Sequence, residues 1–308
     1  MALRRSVAAA ALVVVVAMSR VLAGGGQFGP PPKLYTPAPG AKDLKAVLFN
    51  WTWHMGMLRG VSEPEAVATL EYQGKGTIQV DGQPCTLTKY RVSTNYQTPG
   101  QRTQIECTRA NGQKYSNVEV VSGEYAWNED IPGAEIVAGK GKATPTPAAV
   151  RERLIRLWAS PQGAPKAALA GAAGTAATDV GENPATLLDL AQAAAAKTTT
   201  TLSWPVVTFQ VPGVPGATAT ATLDDGFLPK QVVVKHGSDT TEFVYGDYQD
   251  WNNPLHKIEA LYAGTIVERR NGVVVRNLTT VQTETGNVYV VMPVPASVRK
   301  TTPGRAGN

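Results

Sequence analysis

The sequence has few of the residues that build metal and redox sites. Its 308 residues include two cysteines and three histidines. His54, His236 and His256 are isolated from one another without the spacing of a zinc motif, and the cysteines form no Cys-x-x-Cys pair. We therefore predict no metal site and no cofactor. His54 stands among tryptophans and methionines, where core packing is favoured over haem or copper ligation.

Signatures of nucleophilic and acid–base catalysis are also missing. The sequence has no Gly-x-Ser-x-Gly nucleophile elbow. Its acid pairs, Glu63/Glu65 and Asp224/Asp225, fall at a helix start and in a turn, where acidic residues are common. The sequence thus favours a protein that is not an enzyme. An enzyme is a third possibility, which a histidine beside a carboxylate in a polar cleft would support.

Long hydrophobic runs are absent apart from one near the N-terminus. Arg4 and Arg5 precede an apolar stretch over residues 8–18, and Val21 and Ala23 place small side chains where signal peptidase reads them. We predict a signal peptide over residues 1–23 and an exported protein, periplasmic or secreted. No stable membrane span is expected, because no second run approaches about 20 residues.

An excess of positive charge is absent once residues 1–23 are set aside. The formal net charge of +5 (29 basic minus 24 acidic residues) falls to +2 (26 minus 24), because Arg4, Arg5 and Arg20 belong to that segment. The remaining charges are scattered in both signs, without a basic cluster among aromatic residues. Nucleic acid is therefore not an expected partner.

The two cysteines are expected to form one disulfide. In an oxidising compartment this is the default state of Cys85 and Cys107, and it stabilises the fold by about 3 kcal/mol through loop entropy. A structural bridge is favoured over a redox role. In the simplest hairpin register around Thr98 the two cysteines are not opposite each other, so a bulge, a register shift or a longer-range approach must join them.

Composition separates the chain into four parts. Residues 1–23 are the signal peptide, and residues 24–40, rich in Gly and Pro, read as a disordered tether. Residues 300–308 read as a disordered tail. Residues 41–299 are the expected single folded domain.

Three helical segments are predicted in this domain. Apolar side chains on both sides of residues 41–59 predict a helix that is covered all round. Thr146 followed by Pro147 predicts a helix that ends by Pro161, and Asn183 caps a third. The second helix should bury Val150, Leu154, Leu157 and Trp158 and turn Arg151, Arg153 and Arg156 outward.

Turn dipeptides predict two runs of antiparallel strands. Residues 72–128 hold four or five strands, and residues 198–298 hold six or more. Because helices interrupt the two runs, we predict one curved antiparallel sheet of about 11 strands wrapped around a few helices, mainly β with helices (α+β). The turns that divide the strands are Asp81-Gly82, Pro99-Gly100, Asn111-Gly112, Asp224-Asp225-Gly226 and Asn271-Gly272.

Three stretches spread over the folded part carry a family resemblance. They read TKYRVSTNYQTPGQRTQIECTR, then PAAVRERLIRLWASPQGAPKAAL, and finally TTEFVYGDYQDWNNPLHKIEALYAGTIVERRNGVVVRNLTTVQT with the closing VMPVPASVR. In this order and spacing they resemble the periplasmic lipoprotein-carrier superfamily (LolA-like). They are most similar to the carrier-like domain that precedes metallo-β-lactamase domains in some bacterial proteins.

The resemblance implies an incomplete antiparallel β-barrel, or half-barrel, around helices, with an apolar cavity that receives acyl chains. No hydrolase domain follows the three stretches in this sequence. The hydrolase activity of fused relatives is therefore not expected here.

Large apolar side chains on the covering helices are the candidate ligand contacts. Tryptophan and methionine offer large, adaptable apolar surface. The candidates are Trp51, Met55, Met57, Leu154 and Trp158.

The leading hypothesis is an exported, non-enzymatic carrier of an acyl lipid, a lipidated protein or another apolar ligand. The alternative is a periplasmic interaction or scaffold module that binds another exported protein and needs no ligand. An open apolar cavity favours the carrier, whereas a filled core with an exposed apolar patch favours the module.

Overall fold

The structure is a computed structural model of the chain. It describes residues 44–57, 67–170, 176–180, 204–224, 226–251, 260–285 and 290–300. The predicted signal peptide, the tether, the helix capped by Asn183 and all of the predicted tail except Lys300 lie outside the described residues.

One antiparallel sheet of 13 strands dominates the fold. Its strands follow the order β6-β5-β4-β3-β2-β1-β15-β14-β11-β10-β9-β8-β7, and β12 and β13 form a separate pair. The strands are β1 (Thr69–Val80), β2 (Gln83–Asn95), β3 (Gly100–Arg109), β4 (Lys114–Ser122), β5 (Tyr125–Glu129), β6 (Ala143–Pro145), β7 (Ala176–Val180), β8 (Trp204–Gln210), β9 (Ala217–Leu223), β10 (Pro229–His236), β11 (Asp239–Gly246), β12 (Gln249–Asp250), β13 (Leu261–Tyr262), β14 (Thr265–Arg270) and β15 (Val273–Thr285).

The predicted fold class is confirmed. The sheet is curved and open, because β6 and β7 at its two ends each pair on one side only. The strands are more numerous than the sequence indicated. The first and last strands meet in the middle of the sheet, where Leu70 of β1 pairs with Thr285 of β15 and Ile78 with Arg276. This long-range pairing joins the two predicted runs of strands into one sheet.

The turn signals explain why the hairpins form where they do. Asp81 and Gly82 have φ angles of 52° and 73°, and Asn271 and Gly272 have 47° and 83°. Two consecutive left-handed residues match the right-handed twist of the flanking strands, and Asn, Asp and Gly are the residues that adopt them most readily. Both hairpins are therefore confirmed.

Helices lie between and beside the strands. A 3-10 turn, Pro147–Ala149, leads into the second helix, and this helix ends before Pro161, as predicted. The helices Gly163–Ala170 and Ala296–Arg299 were not predicted from the sequence. The helices are α1 (Leu44–His54), α2 (Val150–Ala159), α3 (Gly163–Ala170) and α4 (Ala296–Arg299).

The predicted outward orientation of the α2 arginines is wrong for two of them. Only 5% of the surface of Arg153 and 7% of that of Arg156 is exposed, whereas Arg151 is half-buried. The Arg153 guanidinium donates to the carbonyl oxygens of Val120 at 2.8 Å and Trp127 at 2.7 Å. Arginine is buried where such acceptors replace water, so its position on a helix does not by itself mark the solvent side.

Helix α1 is covered on most of its surface, as its apolar sequence required. Trp51 is fully buried, and Val47 and Leu48 are nearly so. Phe49 is the exception, with 37% of its surface exposed. Its ring stacks on that of Trp53, with 5.8 Å between the ring centroids.

A β-bulge brings the two cysteines together. Leu87 pairs with Cys107 but Lys89 pairs with Glu106, so the register between β2 and β3 shifts at Thr88. Cys85 and Cys107 lie diagonally across the two strands with Cα atoms 5.6 Å apart and form a disulfide. The predicted bridge and the need for an irregular register are both confirmed.

The disulfide should contribute measurably to stability. The double change C85A/C107A should lower the free energy of unfolding by about 3 kcal/mol, because the unfolded chain loses a closed loop. Urea unfolding with and without a reducing agent checks this. The reductant should destabilise the parent protein and leave the variant unchanged, and an equal effect on both would contradict the prediction.

Candidate ligand-binding site

A small cavity lies between the sheet and the end of α2. Its volume is about 20 Å³, which is room for one water molecule. Aromatic and aliphatic side chains make up most of its wall, and a few polar and charged groups complete it. The lining residues are Leu70, Tyr72, Tyr90, Thr94, Tyr96, Gln101, Arg156, Ser160, Pro161, Phe243, Tyr245, Tyr262, Ile266, Glu268, Arg276 and Leu278.

Tyrosine rings form a continuous aromatic wall on one side of this cavity. The ring centroid of Tyr72 lies 5.0 Å from that of Tyr262 and 6.1 Å from that of Tyr90. Tyr96 packs 6.4 Å from Trp158 of α2. Rings at these separations contribute both apolar area and favourable edge contacts.

Two phenol groups of this wall hydrogen-bond at the C-terminal end of α2. The Tyr245 hydroxyl donates to the Ala159 carbonyl at 2.7 Å, and the Tyr96 hydroxyl is 3.0 Å from Ser160 Oγ. Burial raises the pKa of both phenols above the usual range. They therefore stay protonated and act as neutral hydrogen-bonding groups at physiological pH.

A buried ion cluster closes the other side of the cavity. Glu268, 2% exposed, accepts hydrogen bonds from three arginines. Arg276 Nη1 donates to its Oε2 at 2.6 Å, Arg156 Nε to the same oxygen at 3.4 Å, and Arg270 Nη2 to Oε1 at 2.8 Å. We call Glu119, Glu152, Arg156, Glu268, Arg270 and Arg276 the ion cluster.

The acids of the cluster stay ionised despite their burial. Burial alone raises the pKa of the Glu268 carboxyl, but Arg276, Arg156 and Arg270 lower it by more, so the pKa lies well below its usual range. For Glu152 burial is outweighed by Arg156 and Arg270, and the pKa falls to about 2. The cluster is thus a set of paired charges that links α2 to the sheet.

A second, larger pocket lies on the far side of the ion cluster. It has a volume of about 170 Å³, and most of the residues that line it are polar or charged. Glu268 lines both this pocket and the tyrosine-walled cavity, so its side chain stands between them. Other lining residues are Arg151, Glu152, Ile155, Val234, His236, Asp239, Thr240, Thr241, Arg270 and Asn271.

The five predicted ligand contacts are all buried. Trp51, Met55 and Met57 are 0% exposed, Leu154 is 3% and Trp158 is 6% exposed. None of them lines the cavity or the larger pocket. In this structure they belong to the packed interior around the cavity, and their contact with a ligand stays a prediction.

Sequence reasoning missed the aromatic wall, because its members come from β1, β2, β11 and β13 and meet only in the folded chain. One signal in the sequence is the aromatic group Tyr245, Tyr248 and Trp251, a pattern that fits either stacking on a sugar ring or edge packing around a bulge. Tyr245 belongs to the cavity wall, while the Tyr248 hydroxyl donates to the Pro229 carbonyl at 2.7 Å and Trp251 Nε1 to the Tyr262 carbonyl at 3.2 Å. These hydrogen bonds fix the rings as parts of the packed structure.

Metal binding would require several ligating side chains close together in the described ranges. No group of three or more His, Cys, Asp or Glu side chains that could hold a metal ion occurs among them. The half-buried His54 ring stacks on Phe227 with 5.7 Å between centroids, and burial lowers its pKa.

Within the described part of the chain, no helix has the length and apolar character needed to cross a membrane.

Neutralising Glu268 should destabilise the protein strongly. Glu268→Gln leaves three arginines around one uncharged amide, and breaking a buried ion pair in this way costs about 3–5 kcal/mol. Glu106→Gln is a matched control, because Glu106 pairs with Lys89 at 3.3 Å on the surface, and its loss should cost less than about 1 kcal/mol. Urea unfolding of both variants measures the difference, and similar losses would contradict the assignment.

The ion cluster should also make stability depend on acid pH. The pKa of Glu152 is lowered from 4.5 to about 2, so in acid the unfolded chain binds a proton that the folded chain does not. The free energy of unfolding should therefore be at its full value above pH about 4.5 and fall as pH decreases toward about 2. Glu152→Gln should flatten this slope. A series of urea unfolding curves across that range tests it, and an unchanged slope would reject the assignment.

Solved structures to which this chain is similar include the following two. A LolA superfamily protein from Nitrosomonas europaea has a TM-score of 0.38 at 10% identity, over 79% of this chain and 94% of that chain. The lipoprotein LppX from Mycobacterium tuberculosis has a TM-score of 0.23 at 13% identity, over 64% of this chain and 91% of that chain. No protein-family model and no curated protein matches the sequence. Similarity at this level says nothing about function, which depends on the residues described above.

Proposed function

We propose that this protein is an exported, non-enzymatic carrier that binds an acyl lipid or another apolar ligand between its sheet and its helices. The observation that carries the proposal is the aromatic wall on the covered face of the sheet. Tyr72, Tyr90 and Tyr262 are buried side by side there, next to Leu70 and Leu278. A methylene chain placed against such a wall gains about 0.8 kcal/mol for each buried CH₂.

Uptake of an acyl chain requires the interior to expand, because the cavity holds about 20 Å³. We infer that α1 moves rather than α2. The α1 segment LKAVLFNWTWH contains one charged residue, Lys45, and its buried contacts are mostly apolar. Apolar contacts can be exchanged for ligand methylenes at little cost, whereas the α2 ion cluster cannot be opened without exposing or stranding charges.

Displacement of α1 gives the predicted contacts a role. Trp51, Met55 and Met57 belong to this helix and the residues that directly follow it. When α1 is displaced, these side chains would become available to a ligand that also reaches the tyrosine wall. The closer resemblance to carrier-like domains that precede metallo-β-lactamase domains is part of the same proposal.

Export is supported by two features of the chain. Residues 1–23 have the charge and apolar pattern of a signal peptide. The Cys85–Cys107 disulfide is the form that cysteines adopt in an oxidising compartment. These two features support the proposal of a periplasmic location.

A second candidate is the interaction module, which the small volume of the cavity favours. A cavity with room for only one water molecule is what an ordinary packed core contains. In this case the protein acts through its surface and takes up no ligand.

Ligand uptake can be tested on a cavity residue with a matched control on the same strand. Leu278 of β15 is 2% exposed and lines the cavity, whereas Val281 is 47% exposed. Leu278→Trp should weaken binding of a fluorescent fatty acid at least tenfold, because the indole occupies the site, and Val281→Trp should leave it unchanged. Fluorescence titration measures both affinities.

Two further measurements keep the outcome clear. Urea unfolding must show that Leu278→Trp is folded, since overpacking costs about 1–3 kcal/mol. Native mass spectrometry of the parent protein from its producing cell shows whether a lipid co-purifies. Protein that is free of lipid and takes up no fatty acid rejects the carrier and leaves the interaction module.

A further inference from the structure

The loop between β5 and β6 combines exposed aliphatic side chains with exposed lysines. We call residues 130–142 the 130–142 loop. Ile131, Ile136 and Val137 are 47%, 51% and 55% exposed, a large fraction for such side chains. Lys140 and Lys142 follow in the same loop and are also exposed. Exposed apolar groups clustered in one loop mark an interaction site.

The acidic groups at this loop are occupied by hydrogen bonds to the protein. Glu129, at the base of the loop, accepts from Arg102 Nε at 3.0 Å and from the Gly133 backbone N–H at 2.7 Å. Asp130 Oδ1 accepts from the backbone N–H groups of Ile131 at 2.8 Å and Lys142 at 2.7 Å.

Glu135 is the third acidic side chain of the loop region that accepts hydrogen bonds from the protein. Its carboxylate accepts from the Ala143 backbone N–H at 3.0 Å and from Ser297 Oγ at 2.7 Å. By contrast, Lys140 and Lys142 form no ion pair with any part of the chain that the structure describes. The lysine side chains are therefore available to a partner, while the carboxylates, which keep their charge, hold the backbone of the loop.

The loop is held in a fixed shape. Glu135 has a φ of 62°, which a non-glycine residue adopts only under constraint. Its backbone N–H donates to the Lys140 carbonyl at 2.8 Å, and the Lys140 N–H donates to the Val137 carbonyl at 3.0 Å. Gly141 lets Ile131 pack closely, since a Cβ at that position would lie 2.7 Å from Ile131 Cγ1. The exposed side chains are thus presented on a preformed turn, which reduces the entropy lost on binding.

Further basic side chains lie on the element bound to this loop. Ser297, which donates to Glu135, belongs to α4, and α4 also contacts β5 and β6. Arg299 at the end of α4 and Lys300 after it are exposed. Together with Lys140 and Lys142 they give four basic side chains against the two acids Asp130 and Glu135, a formal net charge of +2 (4 minus 2).

We propose that the 130–142 loop docks the protein on the surface of an anionic lipid bilayer. Ile131, Ile136 and Val137 would enter the headgroup boundary while Lys140 and Lys142 bind lipid phosphates, which is the combination that interfacial anchors use. Each lysine near such a surface strengthens binding about fivefold. The composition favours lipid over a protein partner, because protein interfaces are enriched in aromatic residues and arginine and depleted in lysine.

Cosedimentation with vesicles tests this inference. The parent protein should bind vesicles that contain phosphatidylglycerol and bind vesicles of phosphatidylcholine alone much more weakly, and added salt should release it. I136D/V137D and K140E/K142E should each reduce binding to anionic vesicles at least tenfold. V273D/V274D is the matched control, because Val273 and Val274 are 62% and 40% exposed on the β14–β15 hairpin, and it should bind like the parent.

A site-specific probe separates loop insertion from attachment by any other part of the chain. Ala138 is exposed within the loop. A polarity-sensitive dye on A138C should shift its emission to the blue on anionic vesicles, whereas the same dye on V273C should not. No shift at position 138, equal shifts at both positions, or equal loss of binding in the loop and control variants overturns the proposal. The readout is independent of ligand uptake, so it stands or fails separately from the carrier function.

Discussion

The charges around Glu268 hold helix and sheet in one arrangement. Glu268 lies on β14, Arg276 on β15 and Arg156 on α2, and the Arg156 guanidinium also reaches Glu119 of β4 at 3.2 Å. Hydrophobic packing alone would let α2 slide or turn over the sheet, because apolar contacts are non-directional. Paired charges in a dry interior tolerate only the arrangement in which each is satisfied. The cluster therefore fixes which residues of α2 face the cavity.

Because of that constraint, the interior near Glu268 and the interior near α1 differ in how easily their side chains can rearrange. Near Glu268 any rearrangement leaves a charge without a partner. Near α1 the contacts come from Trp51, Met55 and other apolar groups, which can meet new apolar neighbours without loss of solvation energy. A ligand that enters between sheet and helices is thus expected to displace α1 while α2 remains in place. The tyrosine wall stays with α2 in this scheme, because the hydroxyl groups of Tyr96 and Tyr245 hydrogen-bond to Ser160 and Ala159 at the end of that helix.

Local features of the fold could be predicted from the sequence, whereas long-range ones could not. The hairpins at Asp81-Gly82 and Asn271-Gly272 are encoded by adjacent residues that adopt left-handed φ angles. The pairing of β1 with β15 has no local signal, yet it turns two runs of strands into one sheet. Arg156 was placed outward because periodicity treats every arginine as solvated, and its partner Glu268 lies 112 residues away. The tyrosine wall was missed for the same reason.

A packed interior is compatible with ligand binding when the side chains that occupy it and the ligand are both apolar. A leucine or tryptophan side chain that exchanges contacts with the sheet for contacts with a ligand stays buried, so its exposed apolar area changes little. The free-energy cost of moving α1 away from the sheet is therefore mainly the loss of close packing. Each acyl methylene buried in the new space offsets part of that cost. The balance depends on how much of α1 can leave the sheet without exposing Trp51 and Met55 to water. A ligand long enough to cover both side chains stabilises the open state, while a short one does not, which makes chain length the property that such a site would select.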